Sequence, residues 1–163
     1  MADPDSPRVF ISYSHDSPAH RDRVLMLADR LRTDGIDCDL DRYETSPPEG
    51  WPRWMAGRLA WADFVLVVCT GVYRRRVDGR ETRGVGRGVK WEATIISQAI
   101  YQSESLNTTF VPVALSPEDR AHIPIFLAGA SSYVLDEDYE ALYRHLTGQP
   151  LTPRPPLGER SLP

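Results

Sequence analysis

Cysteine and long apolar runs are scarce in this chain of 163 residues. The two cysteines, Cys38 and Cys69, are too few and too widely spaced for a disulfide scaffold or a metal knuckle. Both lie in apolar runs, so we expect buried free thiols in a reducing compartment. No segment approaches the roughly 18 consecutive apolar residues of a membrane span. The composition thus argues against a disulfide-stapled, metal-knuckle or membrane-spanning protein.

The N-terminal residues 1–5 are acidic and polar, unlike the basic and then apolar start of a signal peptide. The length suits one globular domain with a real core and is too short for two. We therefore expect a single soluble domain in the cytoplasm, with no membrane partner.

Basic residues are slightly fewer than acidic residues, 19 against 23, and the net charge is −4. This balance excludes a uniformly basic nucleic-acid-binding domain. The only lysine is Lys90, and seven of the 19 basic residues fall between Arg74 and Lys90. The sequence therefore predicts one local basic patch and no nucleic-acid partner.

The first half of the chain alternates strand-like and helix-like segments. Residues 9–11 are apolar and are followed by the polar residues 12–16, a pattern typical of a strand with a polar loop at its carboxyl end. Ser17 and Pro18 predict the start of a helix, and Gly35 predicts its end. The next segments are an apolar/acidic alternation (36–41), a proline-rich loop (42–52), a short tryptophan-containing helix and a continuously apolar strand (64–69).

The second half continues the pattern after a predicted arginine- and glycine-rich connection over 70–88. A helix is predicted over about 89–102, strands over 110–115 and 131–135, and a closing helix over 139–146. From Gly148 onward the chain is polar and rich in proline, as in a linker. The predicted divisions are a disordered start (1–7), one domain (8–147) and a proline-rich tail (148–163).

Alternating strands and helices predict an α/β fold in which helices cover both faces of a parallel sheet. Five strands favour the flavodoxin-like order 2-1-3-4-5, because the acidic alternation suits an edge strand and the apolar run suits an internal one. Ligands of such sheets bind at the carboxyl ends of strands one and three. We therefore expect a site built from residues 12–16 and from the residues that follow Cys69.

The ordered motifs resemble those of a Toll/interleukin-receptor (TIR) domain, in particular its SEFIR branch. The resemblance covers residues 8–147 and depends on these segments: Val9-Phe10-Ile11-Ser12-Tyr13-Ser14, the helix to Gly35, Leu40-Asp41 with its proline-rich loop, Ala62-Asp63-Phe64-Val65-Leu66-Val67-Val68, and Trp91-Glu92. It implies either of two functions. Some TIR-like domains are non-catalytic adaptors that bind one another, and others cleave the nicotinamide–ribose bond of NAD⁺.

The catalytic TIR-like domains use one glutamate on the helix after the third strand, and the resemblance places Glu92 in that role. Several members carry a tryptophan one helical turn before this glutamate, whereas Trp91 precedes it directly. Either the helical register differs in this branch, or Trp91 packs in the core. The residues that we expect to bind substrate are Phe10, Ser12, Tyr13, Ser14, His15, Asp41, Arg42, Trp51, Trp54 and Trp91.

The resemblance thus predicts an NAD⁺ glycohydrolase that releases nicotinamide plus ADP-ribose or its cyclic form. It also implies homotypic self-association and a role as a bacterial immune effector, with NAD⁺ as substrate and neither a metal nor a separate cofactor. The alternative is a signalling adaptor without catalysis. A third reading, a flavodoxin-like receiver or nucleotide sensor, is disfavoured because only Asp16 lies near the end of the first strand as a possible magnesium ligand.

Overall fold

Short apolar segments form the strands of one parallel sheet in the computed structural model, which describes residues 5–77 and 107–161. The strands are β1 (Arg8–Ser12), β2 (Asp37–Asp39), β3 (Phe64–Val68), β4 (Phe110–Ala114) and β5 (Tyr133–Val134). The described helices are α1 (Pro18–Thr33), α2 (Trp51–Trp61), α3 (Gly71–Val77) and α4 (Leu135–Leu146), with three short 3₁₀ turns at Asp41–Tyr43, Pro117–His122 and Ile125–Leu127.

The strand order is β2-β1-β3-β4-β5, and every neighbouring pair is parallel. This order confirms the predicted flavodoxin-like fold. It also places the acidic alternation on an edge strand and the continuously apolar segment at the centre of the sheet. The winding reverses between β1 and β3, whose carboxyl ends lie side by side with Ser12 paired to Val67.

Two apolar clusters cover the two faces of the sheet. Side chains of a strand alternate between faces, so Leu66 and Val68 of β3 pack on one side while Val65 and Val67 pack on the other. Helices α1 and α4 cover the first face, and α2 and α3 cover the second. The apolar run of β3 is therefore buried on both sides, as expected of a central parallel strand.

Helix α1 begins and ends where the sequence predicts. The Ser17 side chain accepts a hydrogen bond from the backbone N–H of His20 at 3.1 Å, and Pro18 occupies the first turn. Gly35 follows the helix with φ of 90°, a backbone conformation that favours glycine. The helix brings its last turn, including Arg32, beside β2.

Three element boundaries differ from the sequence prediction. The segment after β3 forms helix α3 instead of a loop, because the Thr70 hydroxyl accepts the backbone N–H of Tyr73 at 3.1 Å and the Tyr73 ring is fully buried. Helix α2 starts at Trp51, with Pro52 in its first turn rather than in the preceding loop. Helix α4 starts at Leu135, bends at Asp138, and leaves β5 only two residues long. The predicted helix over 89–102 lies outside the described residues.

The outward edge of the acidic strand β2 is blocked by a side chain of α1 and by a backbone hydrogen bond to Ile36. Asp37 donates its backbone N–H to Pro7, so the backbone groups of Asp37 and Asp39 face β1 and those of Cys38 face outward. The outward Cys38 carbonyl accepts from Arg32 at 2.9 Å, and its N–H is bonded to the Ile36 carbonyl. Pairing by a further strand is therefore blocked.

The carboxylates of this edge all have partners within the chain. Arg32 pairs with Asp37 at 3.0 Å and Arg58 pairs with Asp39 at 3.3 Å. Asp41 accepts hydrogen bonds from Tyr13 and His15. The solvated face that the apolar/acidic alternation suggests is thus largely neutralised by tertiary contacts.

Replacing Arg32 by alanine is expected to open this edge. The variant loses the bond to the Cys38 carbonyl and the pair with Asp37, which together stabilise the fold by about 1–2 kcal/mol. Urea unfolding measures the loss, and light scattering at high concentration measures edge-to-edge association. Arg53→Ala, at an exposed position of α2, is the control. Equal stability and scattering in the two variants would refute the capping role.

Both cysteines are buried free thiols, as predicted. Burial raises the pKa of Cys69 to about 12 and also raises that of Cys38, so neither sulfur is ionised at neutral pH. Cys69 ends the central apolar segment, and Cys38 points into the core from the edge strand. Their role in this structure is packing.

Candidate functional site

Buried polar side chains mark the point where the winding of the sheet reverses. In the part of the chain that the structure describes, three polar residues are almost fully buried: Ser12, Ser14 and Thr70. Ser12 and Ser14 end or follow β1, and Thr70 follows β3. Buried polar groups need hydrogen-bond partners, so their convergence requires a local network.

The hydrogen bonds of this network form a chain in which each group donates to the next, from the end of β3 to the loop after β1. The Tyr73 backbone N–H donates to Thr70 Oγ1 at 3.1 Å. Thr70 and Ser14 hydroxyls lie 3.3 Å apart, and the Ser14 hydroxyl donates to the Asp16 carboxylate. Because Ser14 uses its proton on Asp16, the Thr70 hydroxyl must donate to Ser14. The chain of donors thus ends on a carboxylate at the mouth of the site.

Ser12 makes a second buried contact at the ends of these two strands. Its hydroxyl lies 3.0 Å from the hydroxyl of Tyr73, whose ring is fully buried between the sheet and α3. Neither hydroxyl is exposed, so this contact fixes α3 against the end of β1. Ser12 and Tyr73 thus form a buried floor at the ends of β1 and β3.

A second cluster, the Asp41 clasp, consists of Tyr13, His15 and Asp41. The Tyr13 hydroxyl donates to Asp41 Oδ1 at 2.6 Å, and His15 Nε2 lies 2.9 Å from Asp41 Oδ2. A carboxylate only accepts, so His15 carries a proton on Nε2. The clasp joins the loop after β1 to the start of the proline-rich loop after β2. It places a carboxylate, an imidazole and a phenol at the mouth of the switch point.

The electrostatics of the clasp favour a charged carboxylate. Burial opposes ionisation of Asp41, whose side chain is 16% exposed, but the hydrogen bonds from His15 and Tyr13 outweigh burial and lower its pKa. Burial and the adjacent Asp41 raise the pKa of Tyr13, so the phenol remains a donor at neutral pH. The clasp therefore holds one negative charge next to the floor formed by Ser12 and Tyr73.

The Asp41 clasp predicts a specific acid dependence. Because the folded-state pKa of Asp41 is lowered, its stabilising effect is present above the unfolded-state value of about 4 and is lost as pH falls through the folded-state value. We expect the stability difference between the wild type and Asp41→Asn to be constant above about pH 5 and to shrink as the pH falls below that value. Urea unfolding at each pH measures it. A difference that is constant with pH would contradict this assignment.

The proline-rich loop is tied to α1 beyond the clasp. Arg42 pairs with Asp22 at 3.0 Å, and the Tyr43 hydroxyl donates to Asp29 at 2.5 Å. The Arg42 guanidinium is therefore directed to α1 in this structure. The loop then leads to Trp51, which is 40% exposed at the start of α2.

Apart from Arg42, which pairs with Asp22, the predicted site residues divide into three groups in the structure. Ser12, Tyr13, Ser14, His15 and Asp41 come together at the switch point, as described above. Phe10 and Trp54 lie in the core cluster of the second face, where their rings make an edge contact with centroids 5.8 Å apart. The exposed Trp51 ring makes a similar edge contact with Trp54, with centroids 5.5 Å apart. Glu92 and Trp91 lie outside the described residues.

Sequence reasoning missed two parts of the site. Tyr73 belongs to a helix that the sequence did not predict, although its position shortly after β3 was a usable signal. The pairing of His15 with Asp41 joins residues 26 positions apart and had no sequence signal. Thr70, in contrast, follows Cys69 directly and so lies where the sequence analysis predicts site residues, at the carboxyl end of the third strand.

The basic patch is described only in its first part. Arg74, Arg75 and Arg76 lie in the last turn of α3, and Arg74 donates to the Ala121 carbonyl at 2.7 Å. The remaining basic residues of the patch lie outside the described residues. Since α3 begins directly after Thr70, the described part of the patch starts within two helical turns of the switch point.

No cluster of three or more potential metal ligands occurs among residues 5–77 and 107–161. No helix within the same ranges is long and apolar enough to cross a bilayer.

Comparison with known proteins identifies the family. A model of the SEFIR domain matches residues 7–146. The structure is similar to that of a prokaryotic SEFIR domain, with 31% sequence identity and a TM-score of 0.66, over 86% of this chain and 99% of that one. It is also similar to the SEFIR domain of interleukin-17 receptor B (16% identity, TM-score 0.64, 88% of this chain and 96% of that one).

A more distant likeness connects the fold to TIR domains. The TIR domain of the Toll-related receptor TRR-2 from Hydra magnipapillata has 14% identity and a TM-score of 0.57, over 85% of this chain and 96% of that one. A comparison with curated protein sequences gives no match. The fold, the matched range and the similarity to the prokaryotic domain all agree with the resemblance noted from the sequence. The chain therefore belongs to the SEFIR domain family and has a TIR-like fold.

Proposed function

We propose that this SEFIR domain cleaves the nicotinamide–ribose bond of NAD⁺ and releases nicotinamide. Attack of water on the ribose carbon then gives ADP-ribose, and attack of the adenine ring of the same molecule gives the cyclic form. The observation that carries the proposal is the convergence of buried hydroxyl groups and an ionised carboxylate at the switch point between β1 and β3. This is the place where sheets of this order bind nucleotide-like ligands. A purely structural core has little use for such a concentration of polar groups, because each must be hydrogen-bonded to remain buried.

The proposed reaction needs few catalytic groups. Nicotinamide leaves NAD⁺ from a positively charged ring and departs as a neutral molecule, so no general acid has to protonate it. What the protein must supply is a carboxylate that holds the ribose and stabilises the developing oxocarbenium ion. Following the family resemblance, we propose Glu92 as that carboxylate.

The described residues would bind and shape the cleft around this carboxylate. Ser12 is held by Tyr73, so its hydroxyl has a fixed position at the floor. The Asp41 clasp closes one side of the mouth, and its Tyr13 phenol and His15 imidazole can donate to ribose or phosphate oxygens after rearrangement of their bonds to Asp41. The arginines of α3 supply positive charge suited to a diphosphate.

SEFIR and TIR domains mediate homotypic interactions, and we propose that self-association accompanies catalysis in this chain. The context that we propose is an immune effector that depletes NAD⁺ when it assembles. The second candidate function is a homotypic adaptor without catalysis. Two exposed apolar side chains, Ile125 in a 3₁₀ turn at 86% exposure and Trp51 at the start of α2 at 40%, are accessible to a protein partner under either function.

The two candidates are separated by incubating the protein with NAD⁺ at increasing protein concentration, with and without a crowding agent. Chromatography then measures free nicotinamide. The enzyme hypothesis predicts turnover that rises more steeply than protein concentration. Absence of nicotinamide in every assembled state would leave the adaptor function and reject the enzyme.

A further inference from the structure

A groove runs along the outer edge of strand β2. Residues of α1 line one wall of the groove and residues of α2 line the other. Its volume is about 630 Å³, and its lining consists of Asp29, Arg32, Asp37, Asp39, Tyr43, Arg58 and Trp61. Two aromatic rings therefore share the groove with three carboxylates and two guanidinium groups. This groove is separate from the switch point, since none of its lining residues belongs to the network around Ser12 or to the Asp41 clasp.

The chemistry of the groove restricts its occupant. A strand cannot add to β2, because the outward Cys38 carbonyl is bonded to Arg32 and the outward Cys38 N–H to Ile36. Recognition must therefore use side chains. The Trp61 ring already stacks with the Arg58 guanidinium at 4.7 Å, which shows that guanidinium groups fit against this surface. Aromatic rings with carboxylates nearby suit proline-rich segments that carry arginine.

Such a segment is present in the same chain. Residues 148–161 are exposed throughout and contain neither helix nor strand. A polyproline II helix has three residues per turn, and proline is fixed near the φ of that helix. At this period one ridge carries Pro150, Pro153 and Pro156, and the next carries Leu151, Arg154, Leu157 and Arg160. The second ridge alternates apolar and cationic groups, which match the rings and carboxylates of the groove.

We propose that this groove binds the proline-rich segment 150–161 of a second copy of the chain. Among the described residues, the chain's own segment lies exposed, with Leu157 wholly accessible, and none of the residues that line the groove belongs to this segment. In the described part of the chain, the segment and the groove therefore do not contact each other, and a second copy of the chain supplies a partner for each. Each carboxylate of the groove has an internal partner, but a carboxylate offers about four acceptor sites, so Arg154 and Arg160 can add hydrogen bonds to them. Backbone carbonyls of the segment beyond Pro150, whose own carbonyl accepts from Arg144, accept from Arg58.

The arrangement adds an association surface that lies outside the matched family range, which ends at residue 146. If two copies exchange segments reciprocally, a closed dimer results; if each copy donates to a different neighbour, an open chain results. The proposal does not depend on NAD⁺ chemistry, and a catalytically silent protein would associate in the same way.

The first test uses the full chain and changes only the exposed segment. Sedimentation equilibrium over a range of concentrations is expected to show self-association that Arg154→Glu with Arg160→Glu weakens at least about tenfold, because two charge-assisted contacts are lost. Glu159→Gln removes the negative charge of the same segment and is expected to leave association unchanged or slightly tighter. Unaltered association in the double variant would overturn the proposal. Circular dichroism confirms that each variant is folded.

The second test supplies the segment in trans. A fluorescent peptide of residues 148–161 is titrated onto the full-length double variant, whose own segment no longer competes. We expect saturable binding that Asp29→Arg in the groove weakens at least about tenfold and that salt also weakens. Absence of saturable binding, or binding insensitive to Asp29→Arg, would overturn the proposal. A monomeric wild type that still binds the peptide through the groove would mean that each segment folds back on its own groove, and would reject the second copy.

Discussion

Replacing Glu92 by glutamine is expected to lower the rate of NAD⁺ hydrolysis at least about 100-fold, since the substitution removes the charge that we propose stabilises the oxocarbenium ion. The amide is close in size to the carboxylate, so NAD⁺ binding should change much less than turnover. The measurement is the initial rate of nicotinamide release at saturating NAD⁺, with binding measured separately by calorimetry.

Glu140→Gln is the matched control for this prediction. Glu140 is exposed on α4 and pairs with Arg144 at 3.3 Å, so its loss should leave the rate within about twofold of the wild type. Glu92→Gln protein that retains the wild-type rate would keep the enzymatic function but reject Glu92 as its catalytic group. The carboxylate would then have to be sought elsewhere, with Asp41 and Asp16 at the switch point as the first candidates.

Replacing Tyr73 by alanine is expected to lower the free energy of unfolding by about 3–5 kcal/mol, as for other large aromatic side chains removed from a core. The Tyr73 ring is fully buried against the second face of the sheet and its hydroxyl bonds to Ser12. A loss of this size is a substantial part of the stability of an ordinary domain. Urea unfolding, followed by circular dichroism, measures it.

Tyr73→Phe separates the two contributions of this side chain. The variant keeps the ring and loses the hydroxyl, so we expect a loss of only about 1–2 kcal/mol, mainly from the altered bonding of the buried Ser12 hydroxyl. Combining it with Ser12→Ala should be less costly than the sum of the two single substitutions, because one interaction is removed twice. A Tyr73→Ala variant that loses less than about 1 kcal/mol would show that α3 does not close the core.

The topology could be predicted because it follows from periodicity. Strict apolar/acidic alternation over residues 36–41 indicated an edge, and the unbroken apolar run over 64–69 indicated the centre of the sheet. Both positions are as predicted. The caps of α1 were also readable, because Ser17 and Gly35 act locally on their own backbone.

Features that depend on tertiary contacts could not be read in the same way. Helix α3 depends on a single hydroxyl, that of Thr70, and on the burial of Tyr73, whereas its arginine-rich sequence resembles a solvated loop. Two of the three aspartates of the edge, Asp37 and Asp39, are paired with Arg32 and Arg58 from two different helices, although the alternation alone suggests a solvated face. Composition does not encode which distant arginine will lie above a given strand.

The candidate site shows the same division. The loop 12–16 was predicted from its place after the first strand, since the carboxyl ends of parallel strands gather ligand-binding groups. The hydrogen bond between His15 and Asp41 could not be predicted, because it depends on the loop after β2 turning back toward β1. Phe10 and Trp54 were predicted as binding residues, and the structure shows them packed against each other in the core.

The most direct test of the central proposal is to follow NAD⁺ by proton NMR in the presence of the wild-type protein at concentrations where sedimentation shows assembly. Cleavage of the nicotinamide–ribose bond predicts that nicotinamide signals grow as those of NAD⁺ fall, together with an equal amount of ADP-ribose or its cyclic form. NAD⁺ signals that stay unchanged at every assembled concentration would contradict the enzymatic function and favour the homotypic adaptor.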